Sequence, residues 1–155
     1  MSLLSIRDLA IALPKGADRP HAVQEVSFDL AEGEILCIVG ESGSGKSMAA
    51  NAVMGLLPEG VRPVKGMISF DGQDILGRSE AAMREIRGRK IGMIFQEPLS
   101  ALNPLMRVGA QIAEVFEAHG LLTPAERTRR ALELLREVQL PEPEKAIRAY
   151  PFQLS

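Results

Sequence analysis

Residues 40–47 read Gly40-Glu41-Ser42-Gly43-Ser44-Gly45-Lys46-Ser47, which fits the pattern G-x-x-x-x-G-K-[ST]. Those residue types at that spacing can hold a polyphosphate. The three glycines carry no Cβ, so the chain can take unusual dihedrals and bring its N–H groups close to phosphate oxygens. A helix opening near Lys46 points its free N–H groups and the positive end of its dipole at the anion. Lys46 adds a point charge at the outer phosphates, and the Ser47 hydroxyl can ligate Mg²⁺. The nucleotide-binding set expected from sequence is therefore Gly40, Glu41, Ser42, Gly43, Ser44, Gly45, Lys46, Ser47 and Met48. A glycine-rich loop that only turns the chain would need neither the lysine nor the hydroxyl.

Such a loop needs a strand to deliver it and a helix to receive it. The run "ILCIVG" (35–40) is continuously apolar, the pattern of a strand buried on both faces in a parallel sheet. Its Cys37, the sole cysteine, is expected to be a buried core thiol. "KSMAANAVMGLL" (46–57) has helical composition. Upstream, "LLSIRDLAIAL" (3–13) and "HAVQEVSFDL" (21–30) read as strands, the second with Val23, Val26, Phe28 and Leu30 alternating. In "MISFDGQDI" (67–75), Asp71-Gly72 reads as a hairpin turn. Ser79 can cap a helix over 80–88 ended by Gly88. "KIGMIFQ" (90–96) is a further short apolar strand. Val108, Ile112, Val115 and Phe116 share one helical face, stopped by Gly120. Thr123, Pro124 and Glu126 form a capping box for a helix whose inner stripe is Leu132, Leu135 and Val138. The first hundred or so residues thus mix strand and helix, and the rest are helical.

Bulk properties narrow the function. The chain has 155 residues, 46% of them hydrophobic and 25% charged, with net charge −2. That is globular composition without the basic field of a nucleic-acid binder, and few aromatics are present to stack bases. No apolar run reaches the length of a membrane span, and the N-terminus is too charged for a signal peptide. Other features have plain readings. The basic "RTRR" (127–130) reads as a solvated helix face, Asp71 and Asp74 as turn residues, and the methionines as gap-fillers. His119 sits at a helix end, where its protonated form suits the dipole.

Beyond the loop, "VSFDLAEGEILCIVGESGSGKS", "IGMIFQEPLSALNP", "VGAQIAEVF" and the closing "YPFQLS" resemble the ATP-binding subunit of an ABC transporter, within the branch importing peptides, nickel or glutathione. The resemblance spans nearly the whole chain and keeps motif order and spacing. It implies an α/β fold: the N-terminal portion of a P-loop NTPase of ABC type, with an antiparallel β-subdomain, a core over 1–104 and the start of a helical subdomain over 105–155. It implies ATP and Mg²⁺ as ligands, with Gly40 to Ser47 as the Walker A loop. Gln96 becomes the Q-loop glutamine, reaching Mg²⁺ and the attacking water, so Lys46 and Gln96 are the catalytic candidates, and Ser47 and Gln96 the metal candidates. Residues 97–104 and the helix from Met106 become a docking surface for transmembrane permease subunits. A second ATP-binding subunit is implied as partner, and a cytoplasmic location on the inner face of the membrane. One departure concerns the base. The connection "PKGADRPH" lacks the aromatic ring that many such subunits stack on adenine, and only His21 is near.

The same resemblance marks Leu154-Ser155 as the opening of the LSGGQ signature. The acidic strand ending Asp-Glu and the later His that complete hydrolysis in the family are not among these residues. The expectation is that "ILCIVG" lacks its sheet neighbours and that the 155 residues alone are marginally stable and do not turn over ATP. The alternative to an ATPase subunit is a non-catalytic nucleotide-binding or interaction fragment. An ABC-type ATPase of DNA repair is disfavoured by the absence of heptads, cysteine pairs and positive charge.

Overall fold

A computed structural model describes residues 2–154, with the side chain of Leu99 excepted. Ser155, within the expected signature, lies outside the described residues. The chain forms two compact units, residues 1–87 and 88–155.

In the first unit, β1 (Ser2–Ala12), β2 (His21–Ala31), β3 (Arg62–Phe70) and β4 (Gln73–Asp74) pair antiparallel in the order β2-β1-β3-β4. The central strand, β1, supplies Ile6, Leu9 and Ile11, which with Ile68 of β3 are fully buried. The alternation of β1 is interrupted at Asp8, whose φ of 44° accompanies register shifts against both neighbours. This bulge lets Ile6 and Leu9 both face inward, which strict period-two alternation forbids. Gly66 of β3 lies against the bulge with φ +101°, and a Cβ there would come 2.5 Å from the Arg7 carbonyl oxygen. Only glycine allows that approach. The expected hairpin turn is present: Phe70 pairs with Gln73, and Asp71 and Gly72 both have positive φ, as a type I′ turn requires. β3 begins at Arg62, five residues before the expected start at Met67.

Helix α1 (Lys46–Met54) follows the glycine-rich loop and ends at Gly55, in the left-handed conformation. It is three residues shorter than its composition predicts, because Gly55 donates back to Ala52 and Asn51 and closes the helix. α2 (Glu80–Arg84) is capped by Ser79 as expected but stops short of Gly88.

Two sequence expectations fail here. Residues 34–41 form no regular secondary structure, and Ile35 and Val39 are 95% and 87% exposed. Cys37 is exposed with them, not a buried core thiol. Residues 92–95 are likewise irregular, with Ile94 91% exposed, and only an isolated bridge marks Ile91. The physical reason is shared. A strand apolar on both faces exists only when neighbours satisfy its backbone groups on both edges, and no described strand pairs with either run.

The second unit is helical: α3 (Val108–Ala118), α4 (Pro124–Glu137) and α5 (Pro143–Ala146). Val108, Leu135 and Ala146 form its buried cluster, with Ile112, Leu140, Ile147 and Leu154 packed against it. Val108 and Gly109 donate to the carbonyls of Ala149 and Ile147 at 2.9 and 3.0 Å. A Cβ on Gly109 would lie 2.3 Å from Ile147 Cγ1, so the start of α3 and the chain at Ile147 touch through a missing side chain. Val115 and Val138 do not join the buried face as expected. Both are exposed, and Val138 lies past the last turn of α4, which Ala131 and Leu135 bury instead. The basic stretch is only partly the solvated face expected: Thr128 and Arg129 are exposed, Arg130 pairs with Glu133 and Glu137, and Arg127 is largely covered and pairs with Glu117.

The capping box of α4 is formed. The Thr123 N–H donates to Glu126 Oε2 at 2.8 Å, and the Glu126 N–H to Thr123 Oγ1 at 3.4 Å. The Thr123 hydroxyl and N–H together hold the Glu126 carboxyl below its ordinary value. A lowered carboxyl pKa means stability present above the unfolded-state value and lost as pH falls through the folded one. The helical unit is expected to lose stability below about pH 4.3, the ordinary Glu value. Glu126→Gln should flatten that acid slope in melts followed by circular dichroism, and an unchanged slope would count against the capping role.

Candidate functional site

The glycine-rich loop 40–47 is built from its own backbone outward. Gly43 and Gly45 have φ of +80° and +95°, conformations that side-chain-bearing residues rarely adopt. The Ser44 N–H donates to the Glu41 carbonyl at 3.2 Å, closing the turn, and the Ala49 N–H donates to Gly45 at 2.9 Å, starting the helix. A Cβ on Gly45 would lie 2.3 Å from the Ala22 carbonyl oxygen and 2.9 Å from Val23 Cγ2. The loop thus rests directly on the buried start of β2. Gly40 is also tight, since a Cβ there would meet Ser44 Oγ at 2.8 Å.

Lys46 opens α1 and folds back over the loop. Its Nζ donates to the carbonyls of Gly40 and Glu41 at 2.7 and 2.8 Å, and to Ser44 Oγ at 3.3 Å. Its ammonium therefore lies above the turn it follows. The helix has no side-chain cap at Gly45 and no acidic residue in its first turn. Its first N–H groups and positive dipole end are left for an external anion. Ser47 is exposed in that turn and offers an oxygen donor of the kind Mg²⁺ prefers. Met48 is half-buried, and Ala49 and Ala52 are buried beneath the helix.

The far end of α1 is held by Arg87. Its guanidinium donates to the carbonyls of Met54 at 2.7 Å and Gly55 at 3.2 Å, and pairs with Glu80 at 2.8 and 3.0 Å. A cation at a helix C-terminus complements the dipole, and the Arg87 hydrogen bond holds the Glu80 carboxyl below its ordinary value. Sequence reading did not single out Arg87, because the carbonyls it holds, those of Met54 and Gly55, lie more than thirty residues away in sequence.

Arg19 was missed for the same reason. It lies in the connection between β1 and β2, closed by Leu13 N–H donating to the Pro20 carbonyl at 2.9 Å. Its Nη2 donates to the Gly43 carbonyl at 2.5 Å. The connection contains no aromatic residue, and His21 is half-buried at the start of β2, in register with Ala12.

Gln96 lies in the second unit, at an exposed bend after the irregular run 92–95. Beyond it, Pro98–Ala101 form a 3₁₀ turn, with Ser100 donating twice to the Glu97 carbonyl. Gln111 of α3 staples the next stretch. Its Oε1 accepts from the Asn103 N–H at 2.9 Å, and its Nε2 donates to the carbonyls of Asn103 and Met106 at 2.9 and 3.0 Å. Leu105, inside that staple, is 85% exposed. Asp71 is a turn residue as expected, whereas Asp74 belongs to β4, paired with Ser69, and accepts from the Leu76 N–H at 2.9 Å. Among the described residues, no helix is long and apolar enough to cross a membrane.

Comparison with known proteins agrees with this geometry. A family profile described as ABC transporter matches residues 23–155. A peptidoglycan transport ATP-binding protein, YejF of Agrobacterium fabrum, is 50% identical over 99% of this chain, which covers 28% of that protein. An oligopeptide transport ATP-binding protein, OppD of Bacillus subtilis, is 44% identical over 99% of this chain and 43% of its own length. The chain thus spans less than half of either relative. A solved dimeric ATP-binding cassette, MJ0796 bound to ADP and phosphate, superposes with a TM-score of 0.81 at 28% identity, covering 98% of this chain and 63% of that one.

Proposed function

Since the chain belongs to the ABC transporter family, as an ATP-binding domain matched over residues 23–155, we propose that it works in an ATPase subunit driving import of peptides or similar small solutes. The observation that carries the proposal is the uncapped, acid-free start of α1, with Lys46 folded over a loop of positive-φ glycines. That is an anion site built for several phosphates at once. The printed names of the relatives support the solute class.

In this reading the N–H groups from Gly43 to Met48 and the Lys46 ammonium bind and orient the triphosphate. Ser47 and Gln96 present oxygens to Mg²⁺, which when bound neutralises charge on the phosphoryl oxygens. Gln96 also orients the attacking water. Residues 1–104 form the nucleotide-binding portion, and 105–155 begin the helical subdomain. Residues 97–104, anchored at Asn103 by Gln111, and α3 meet transmembrane permease subunits, with Leu105 as an exposed apolar contact. The subunit would sit on the cytoplasmic face of the membrane and pair with a second ATP-binding subunit.

The second reading, a nucleotide-binding or interaction fragment without turnover, draws support from the unpaired runs 34–41 and 92–95. ATP turnover by the intact protein, with and without its membrane subunits, separates the two. Turnover that rises with transported peptide supports the first reading, and tight nucleotide binding with no turnover in either setting supports the second.

A further inference from the structure

We propose that Arg19 is a positioning residue for the phosphate loop, holding it in its anion-binding shape from the β1–β2 connection. The inference rests on the loop being the triphosphate site. The guanidinium of Arg19 donates to the carbonyl of Gly43, the loop residue with φ +80°. A peptide plane is rigid, and its C=O and the following N–H point in opposite directions. Fixing the Gly43 carbonyl outward therefore fixes the Ser44 N–H inward, where it closes the turn on Glu41.

Arg19 is well placed to do this. Its segment is clamped at the base by the hydrogen bond from Leu13 to Pro20. Pro20, next in sequence, has a fixed φ, and the strand that follows carries the Ala22 carbonyl on which Gly45 rests. One short stretch, residues 19–22, thus contacts the loop twice, at Gly43 through a cation and at Gly45 through backbone. A guanidinium has five donors, and the Gly43 carbonyl can occupy only a small part of them, so Arg19 also places a second positive charge beside the loop that Lys46 covers. A residue acting this way supports phosphate, not base.

The test is titration of the intact protein with ATP and, separately, with inorganic tripolyphosphate. A charge-assisted hydrogen bond at an exposed site supports a loss of about five- to tenfold on Arg19→Ala, equal for both ligands. Arg19→Lys should recover part of it, and the melting temperature without ligand should not move. The inference fails if Lys46→Ala abolishes binding while Arg19→Ala leaves both affinities unchanged. It also fails if the loss is confined to ATP, which would place Arg19 on the nucleoside, or if only the unliganded melting temperature falls. Should Lys46→Ala leave binding unchanged as well, the phosphate-site reading itself falls and this inference with it.

Discussion

Lys46→Ala is expected to weaken triphosphate binding by about 30- to 150-fold, from the loss of charge-assisted contacts contributing about 2–3 kcal/mol. The reason is visible in the geometry. Nζ is held over the loop by the carbonyls of Gly40 and Glu41 and by Ser44 Oγ, all neutral acceptors. An arriving phosphate brings formal negative charge to the same ammonium, so the exchange favours the anion. Alanine removes both the charge and the three bonds across the loop. Calorimetric titration of the intact protein with a non-hydrolysable ATP analogue measures the loss. AMP, with one phosphate, should bind weakly to both forms and show a smaller difference. An affinity unchanged by the substitution overturns the assignment of this loop.

Gly45→Ala should abolish binding by a different route. The φ of +95° alone costs on the order of 1–3 kcal/mol for a residue with a Cβ. The Cβ would also lie 2.3 Å from the Ala22 carbonyl oxygen. Ala22 and Val23 are buried in β2, so neither can yield cheaply, and the start of α1 must move off the strand. The expected result is at least a hundredfold loss of ATP affinity together with a lowered melting temperature. Gly43→Ala is the internal comparison. Its φ is +80°, but a Cβ there meets nothing within 4 Å. Strain of about 1–2 kcal/mol predicts a loss near tenfold, with little change in melting temperature. Equal losses at the two positions would show that contact with β2 contributes nothing.

Much of this site was legible before any coordinates. The spacing of Gly40, Gly43, Gly45, Lys46 and Ser47 reflects local backbone demands: positive φ at Gly43 and Gly45, close approach of Ser44 at Gly40, a lysine at the first helical position. Capping by Ser79 and Thr123 and the turn at Asp71-Gly72 were equally readable, because each is a contact within four residues. What misled was the apolar run 35–40. Its composition is that of a doubly buried strand, but burial and pairing belong to neighbours, and none of the described strands is adjacent. Cys37 followed the run into solvent. The inner stripes of α3 and α4 were right at Val108 and Leu135 and wrong at Val115 and Val138, because periodicity names a helical face without saying how far a partner covers it.

By itself, then, the sequence determined the glycine-rich loop 40–47, its helix, the caps and turns, and the family to which the chain belongs. These depend on short-range dihedral and hydrogen-bond requirements that residue types encode directly. Only the tertiary structure decided that β2 supports Gly45, that Arg19 grips Gly43 from across the hairpin connection, and that Arg87 closes the far end of α1. Each joins residues more than twenty positions apart, and contacts at that range follow from how the sheet's bulge and register bring strands together, which no local pattern specifies.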